Sequence, residues 1–123
     1  FGYIGSGFIA TKEANAATAY KEAITKYNAD DIVYTDLITG VKGNYLKPSL
    51  AAAGFDPNNL PKSDPSKMNF SSSDGMEKKK AWKDIWGCGQ GIGSIKKIIT
   101  CQDYVSKLSE EYVLAKNRIN DVA

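Results

Sequence analysis

The last quarter of the chain admits only one local structure. Cys101, Val105, Leu108, Tyr112, Ala115 and Ile119 recur at spacings of four, three, four, three and four, the period that stacks side chains on one face of an α-helix. Thr100 with Asp103 resembles a capping box in which Asp takes the place of the usual Glu. The spacing predicts a long helix from Thr100, with its apolar face buried against the rest. A second stripe, Ala17, Tyr20, Ile24 and Tyr27, predicts another amphipathic helix. It is expected to start at a Thr11 cap with Glu13 in the first turn, where the helix dipole favours negative charge.

Punctuation orders what remains. Residues 1–4 read as the tail of a strand that ends in a turn at Gly5, Ser6 and Gly7. "DIVYTDLI" from Asp31 alternates well enough for a strand and leads into a turn at "TGVKGN". "YLKPSLAAAGF" suggests a short helix stopped by Gly54. The Pro-, Asn-, Ser- and Asp-rich segment near residues 56–75 is expected to be a weakly ordered loop. Beyond it a charged amphipathic stretch runs into glycines at 87, 89, 91 and 93. No internal repeat is present.

Composition removes several classes of function. The 123 residues suit one ordinary domain, and 16 basic against 14 acidic residues give a net charge of +2. That balance argues against a dedicated nucleic-acid or membrane-surface binder. No run approaches the ~18 apolar residues of a membrane span, so the expectation is a soluble, cytoplasmic protein. The two cysteines, Cys88 and Cys101, are expected to be free thiols rather than a disulfide framework. There is no histidine, hence neither the commonest general base nor the commonest transition-metal ligand. Asp30, Asp31 and Asp36 lack metal-ligand spacing and are read as capping and solvated groups.

The two glycine-rich turns carry whatever chemistry the chain has. In "GSGFIATKEA" backbone N–H groups at a helix start, with the Ser6 hydroxyl, could hold a phosphate of a nucleotide or flavin. A tight turn that needs glycine for its geometry explains the same residues. Gly5, Gly7 and Ala10 also satisfy G-x-G-x-x-A, but Asp30 precedes the second strand instead of ending it, against the dinucleotide fingerprint. "GCGQGIG" fits neither that fingerprint nor a P-loop. Trp82 and Trp86 read as packing anchors, Lys78, Lys79 and Lys80 as a solvated face, and Cys88 as inert.

Three blocks taken in order carry a resemblance. "GYIGSGFIATKEANAATAYKEAI" is similar to M-G-T-R-F-[IL]-A-T-x-E-A of the nitronate monooxygenase (2-nitropropane dioxygenase) family. "DIVYTDLITGVKGNYLKPSLAAAGFDPNNLP" resembles that family's [VY]-T-x-x-[FI]-T-G-x-x-x-N-[FY]-L-[RK]-P-S, and "AWKDIWGCGQGIGSI" its W-S-A-G-Q-G-[VI]-G. Together they span nearly the whole chain. The resemblance implies the C-terminal third of an α/β flavin enzyme. Residues 1–28 would form the last strand, turn and helix of a (β/α)8 barrel, and residues 29–123 a mostly helical C-terminal cover. Such a chain by itself would be mostly α with short strands.

The resemblance further implies FMN as cofactor, with alkyl nitronates or nitroalkanes and oxygen as substrates. FMN phosphate lies at the barrel mouth after strands seven and eight. Gly5 and Ser6 stand where the family's Gly and Thr meet the phosphate, and Gly89, Gln90 and Gly91 match the G-Q-G near the flavin. Gly7 replaces the family's Arg, while Gly87 and Cys88 replace its Ser-Ala. The family's catalytic histidine belongs to earlier strands, so no catalytic residue and no metal ligand is assigned, and the chain alone is expected to be inactive. An unpaired strand edge at the barrel end would invite self-association. Two other readings stay open: another FMN barrel such as a flavin-dependent enoyl reductase, and a non-enzymatic helical domain whose glycine turns are structural.

Overall fold

The computed structural model describes residues 2–62 and 84–122. Its regular elements are α1 (Ser6–Ile9), α2 (Thr18–Lys26), β1 (Ile32–Thr35), β2 (Gly43–Leu46), α3 (Lys47–Ala52) and α4 (Cys101–Val122), with single 3-10 turns at Ala29–Asp31 and Gln90–Ser94. β1 and β2 form an antiparallel hairpin in the register Ile32↔Leu46, Val33↔Tyr45, Tyr34↔Asn44 and Thr35↔Gly43. Gly40 in the connection has φ +77°, a conformation that favours glycine. Pro48 near the start of α3 costs no helical bond. Gly54, at φ +89°, ends that helix. There the Phe55 N–H reaches Leu50 O at 3.0 Å and the Gly54 N–H reaches Ala51 O at 3.0 Å, the paired bonds of a Schellman motif.

Two small cores meet at β2, because successive strand side chains point to opposite faces. Leu46 enters the larger one with Ala10, Ala23, Ile24, Cys88, Ile92 and Ile95. Tyr45 enters the other with Leu50 and Ile85. Residues 86–88 run along the second side of β2. The Leu46 N–H donates to Trp86 O at 2.9 Å, and the Cys88 N–H to Asn44 O at 3.2 Å. Ser49 joins the junction, since its hydroxyl donates to Leu46 O at 2.8 Å and accepts from the Trp86 N–H at 3.0 Å.

Three local expectations are corrected. Residues 2–5 form no strand, and Ser6 and Gly7 lie inside the first turn of α1. No described strand flanks residues 2–5 to satisfy their backbone groups, and an isolated strand is not self-supporting. Thr11 does not cap a helix. It is fully buried, bridges to Ile99 in parallel, and donates its hydroxyl to Phe8 O at 2.7 Å. Lys21, also buried, holds the same segment with its ammonium on Thr11 O at 2.7 Å and Lys12 O at 3.2 Å. Tertiary pairing thereby delays α2 until Thr18.

The third correction concerns α4. Thr100 does cap it, its Oγ1 accepting from the Asp103 N–H at 3.0 Å. The Cys101 N–H, however, goes to Glu13 Oε2 at 2.9 Å, so Glu13 serves the dipole of a helix distant in sequence. Among the described residues the apolar stripe finds no core. Cys101 and Leu108 are half-buried, while Val105, Tyr112, Ala115 and Ile119 are exposed. Near its start the helix meets the body where Tyr104 packs against the Phe8 ring edge-on, centroids 5.0 Å apart.

Candidate functional site

Folding brings the two glycine turns together. The Gly89 N–H donates to Ser6 Oγ at 2.8 Å, across 83 positions of sequence. Gly5, Ser6, Gly89 and Gly91 line one cleft of about 290 Å³, with Lys107 and Glu111 of α4 on its other wall. The 3-10 turn Gln90–Ser94 carries Gly91 into place by burying Ile92. Gln90 itself is exposed and does not line the cleft.

The glycines divide by what surrounds them. At Gly7 a Cβ would fall 2.0 Å from Tyr104 Oη, so this glycine exists for the close approach of α4. That contact also explains why a long cationic side chain has no room here. A Cβ at Gly5 or Gly91 meets nothing within 4 Å, and one at Gly89 meets only Ser6 Oγ at 3.7 Å. Packing within the described residues therefore does not account for Gly5 and Gly91. They leave bare backbone at a cleft wall.

The chemistry of the cleft is donor-rich and only weakly charged. A hydroxyl has one proton and two lone pairs; Gly89 occupies one lone pair of Ser6, and no acceptor among the described residues takes the Ser6 proton. Hydrogen bonds among the described residues leave the N–H of Ser6 without an acceptor, as the first turn of a helix does. Lys107 sits 3.5 Å from Glu111 on the same helix, both of them substantially exposed. Such a pair is worth at most about 1 kcal/mol and yields readily to a doubly charged anion.

Other candidate residues fall into structural roles. Trp86 stacks on Tyr20, centroids 5.3 Å apart and planes within 11°. The Tyr20 hydroxyl donates to Gly87 O. Burial, with a smaller contribution from Cys88 nearby, pushes the Tyr20 hydroxyl up to about 12. Burial likewise raises the Cys88 thiol from 9.0 to about 11, which leaves it protonated and unreactive at neutral pH. Asp31 accepts from the Asn28 N–H at 3.0 Å and closes a capping box. Trp82 and Lys78, Lys79 and Lys80 lie outside the described residues, as does the 63–75 portion of the expected loop.

Sequence reasoning missed a larger groove of about 910 Å³ between α2 and α3, walled by Ala19, Ala23, Tyr27, Ala52, Phe55 and Ile85. Its lining is mostly apolar, with Glu22, Lys26 and Asp84 among the residues around it. The only signal in the sequence was small residues on facing helices, which also describes ordinary packing.

Among the described residues no helix is long and apolar enough to cross a membrane. Neither a protein-family model, nor a curated protein, nor a solved structure matches the chain.

Proposed function

We propose that the chain supplies one flank of the FMN phosphate site of a nitronate monooxygenase-like flavoprotein, working in the cytoplasm as part of a (β/α)8 barrel. The observation that supports this reading most directly is the bond from the Gly89 N–H to Ser6 Oγ. It joins two of the three blocks that carry the resemblance at one cleft, as blocks serving a single ligand require. The cleft lies at the low end of the ~300–1,000 Å³ range of small-molecule pockets. It suits a phosphoryl group and the start of its chain rather than a whole flavin nucleotide.

In this site Ser6 donates its hydroxyl proton to a phosphate oxygen while Gly89 fixes the side chain from behind. Gly5 and Gly91 keep the walls free of side chains, and Gly89 closes the cleft between them. Gln90 stands beside the cleft, outside its wall. Lys107 provides the cation that Gly7 cannot. A bound flavin would supply the redox chemistry between a nitronate and oxygen. The chain's own task is to hold and orient it, so the chain in isolation does not turn over.

The glycine at position 7 favours the second reading, a helical module with structural turns, because packing alone explains it. Gly5 and Gly91 separate the two, since nothing within the described residues occupies their free space. The test is titration of FMN and riboflavin against wild type and Ser6→Ala in the protein that carries the whole barrel. A hydrogen bond to a charged group is worth about 1.5–3 kcal/mol. FMN should therefore bind roughly ten- to a hundredfold more weakly to Ser6→Ala, and riboflavin, which lacks the phosphate, should bind as before. Unchanged FMN affinity, or equal losses for both flavins, overturns the assignment.

A further inference from the structure

From Ser109 to Val122 every residue of α4 is exposed. A helix of about 12–15 residues without tertiary contacts is marginal in water, yet this stretch carries an unbroken apolar seam. Val105, Leu108, Tyr112, Ala115, Ile119 and Val122 follow the alternating three- and four-residue spacing of a coiled coil. Tyr112 and Ile119 are 70% and 71% exposed. We propose that α4 pairs antiparallel with α4 of a second copy of this chain.

Charge selects a second copy as the occupant. Glu111 and Arg118 are seven residues apart, so they share one flank of the seam. A two-fold axis between Tyr112 and Ala115 places Glu111 of each copy opposite Arg118 of the other, giving two equivalent ion pairs. Lys116 on the other flank then faces the uncharged Ser109 of the second copy. No like charges meet.

Side-chain volume selects the antiparallel sense. In that register large Tyr112 faces small Ala115, Leu108 faces Ile119, and Val105 faces Val122, so each layer fills. A parallel pair would stack tyrosine on tyrosine and leave a gap between two alanines. It would also crowd both bodies at the same end, since each is docked at the start of α4 through Phe8 and Tyr104. The antiparallel arrangement keeps the bodies apart.

The test is sedimentation equilibrium of the 123-residue chain up to roughly 100 µM, well above a micromolar Kd, with far-UV circular dichroism to check folding. Wild type should sediment at twice the chain mass. Glu111→Arg or Arg118→Glu alone should weaken association at least roughly tenfold, because like charges then face each other. The two together should restore it. In a Cys101→Ser background, mixed Tyr112→Cys and Ala115→Cys chains should form the disulfide between the two variants. A monomer throughout overturns the proposal. A dimer indifferent to both charge reversals, or disulfides formed only between identical variants, does so as well.

Discussion

At the scale of single residues, the glycines separate packing from function. Gly7→Ala drives a Cβ into Tyr104, and overpacking typically costs about 1–3 kcal/mol. Urea denaturation should show that loss. Gly5 meets nothing and has φ −106°, which any residue adopts, so Gly5→Ala should stay within about 0.5 kcal/mol of wild type. If Gly5→Ala also weakens FMN binding in the whole barrel, the glycine belongs to the ligand and not to the fold. The cysteines provide a second check. Cys88 is buried with its thiol raised to about 11, whereas Cys101 is half-buried at the start of α4. Iodoacetamide at pH 8 should label Cys101 well before Cys88, and the reverse order would place Cys88 at the surface.

At the scale of elements, α4 is held by its N-terminal end. The Cys101 N–H on Glu13, helped by other backbone and side-chain hydrogen bonds there, holds the Glu13 carboxyl below its ordinary 4.5. A depressed carboxyl stabilises the fold above its unfolded-state value, and that contribution is lost as pH falls through the lower folded-state value. Protection of the first-turn amides of α4, measured relative to their intrinsic exchange rates, should therefore fall below about pH 4.5, and Glu13→Gln should remove that fall while leaving the helix in place. The apolar stripes of α2 and α4 behave differently. Ile24→Ala, at a fully buried position, should cost about 2–5 kcal/mol. Leu108→Ala should cost less because Leu108 is only half-buried. At high dilution, where copies separate, Ile119→Ala should be close to neutral, as an exposed position is.

At the scale of the whole molecule, the distribution of titrating groups predicts the shape of the pH–stability curve. With no histidine in the chain, nothing of that kind titrates between about pH 5 and 8. Two groups act on the alkaline side: buried Cys88, raised from 9.0 to about 11, and half-buried Tyr20, raised from 10.0 to about 12. A raised folded-state value contributes stability that is complete below the unfolded value and lost as pH climbs through the folded one. Thermal midpoints should be flat near neutrality and fall from about pH 9 to pH 12. Tyr20→Phe should flatten the upper part of that fall. A midpoint that drops between pH 6 and 8 would contradict this distribution.

Helices with an unambiguous period and stops with a local chemistry are written in the residues themselves. The stripe at 101–119 required α4, and Gly54 ended α3 through its own positive φ. The resemblance, and not spacing, led to the expectation that Gly5, Ser6, Gly89, Gln90 and Gly91 in the two turns serve one cofactor. Long-range packing alone brings these turns together, because a bond across 83 positions leaves no periodic trace. It likewise decided the fates of Thr11 and Glu13. A threonine and a glutamate two apart satisfy the local rule for a helix start, yet pairing with Ile99 and the Cys101 N–H uses both groups for contacts between distant segments. The unburied seam of α4 has the same cause. Amphipathic spacing fixes which face is apolar, while the surface that covers it belongs to a neighbour, within the chain or in another copy, that local sequence does not specify.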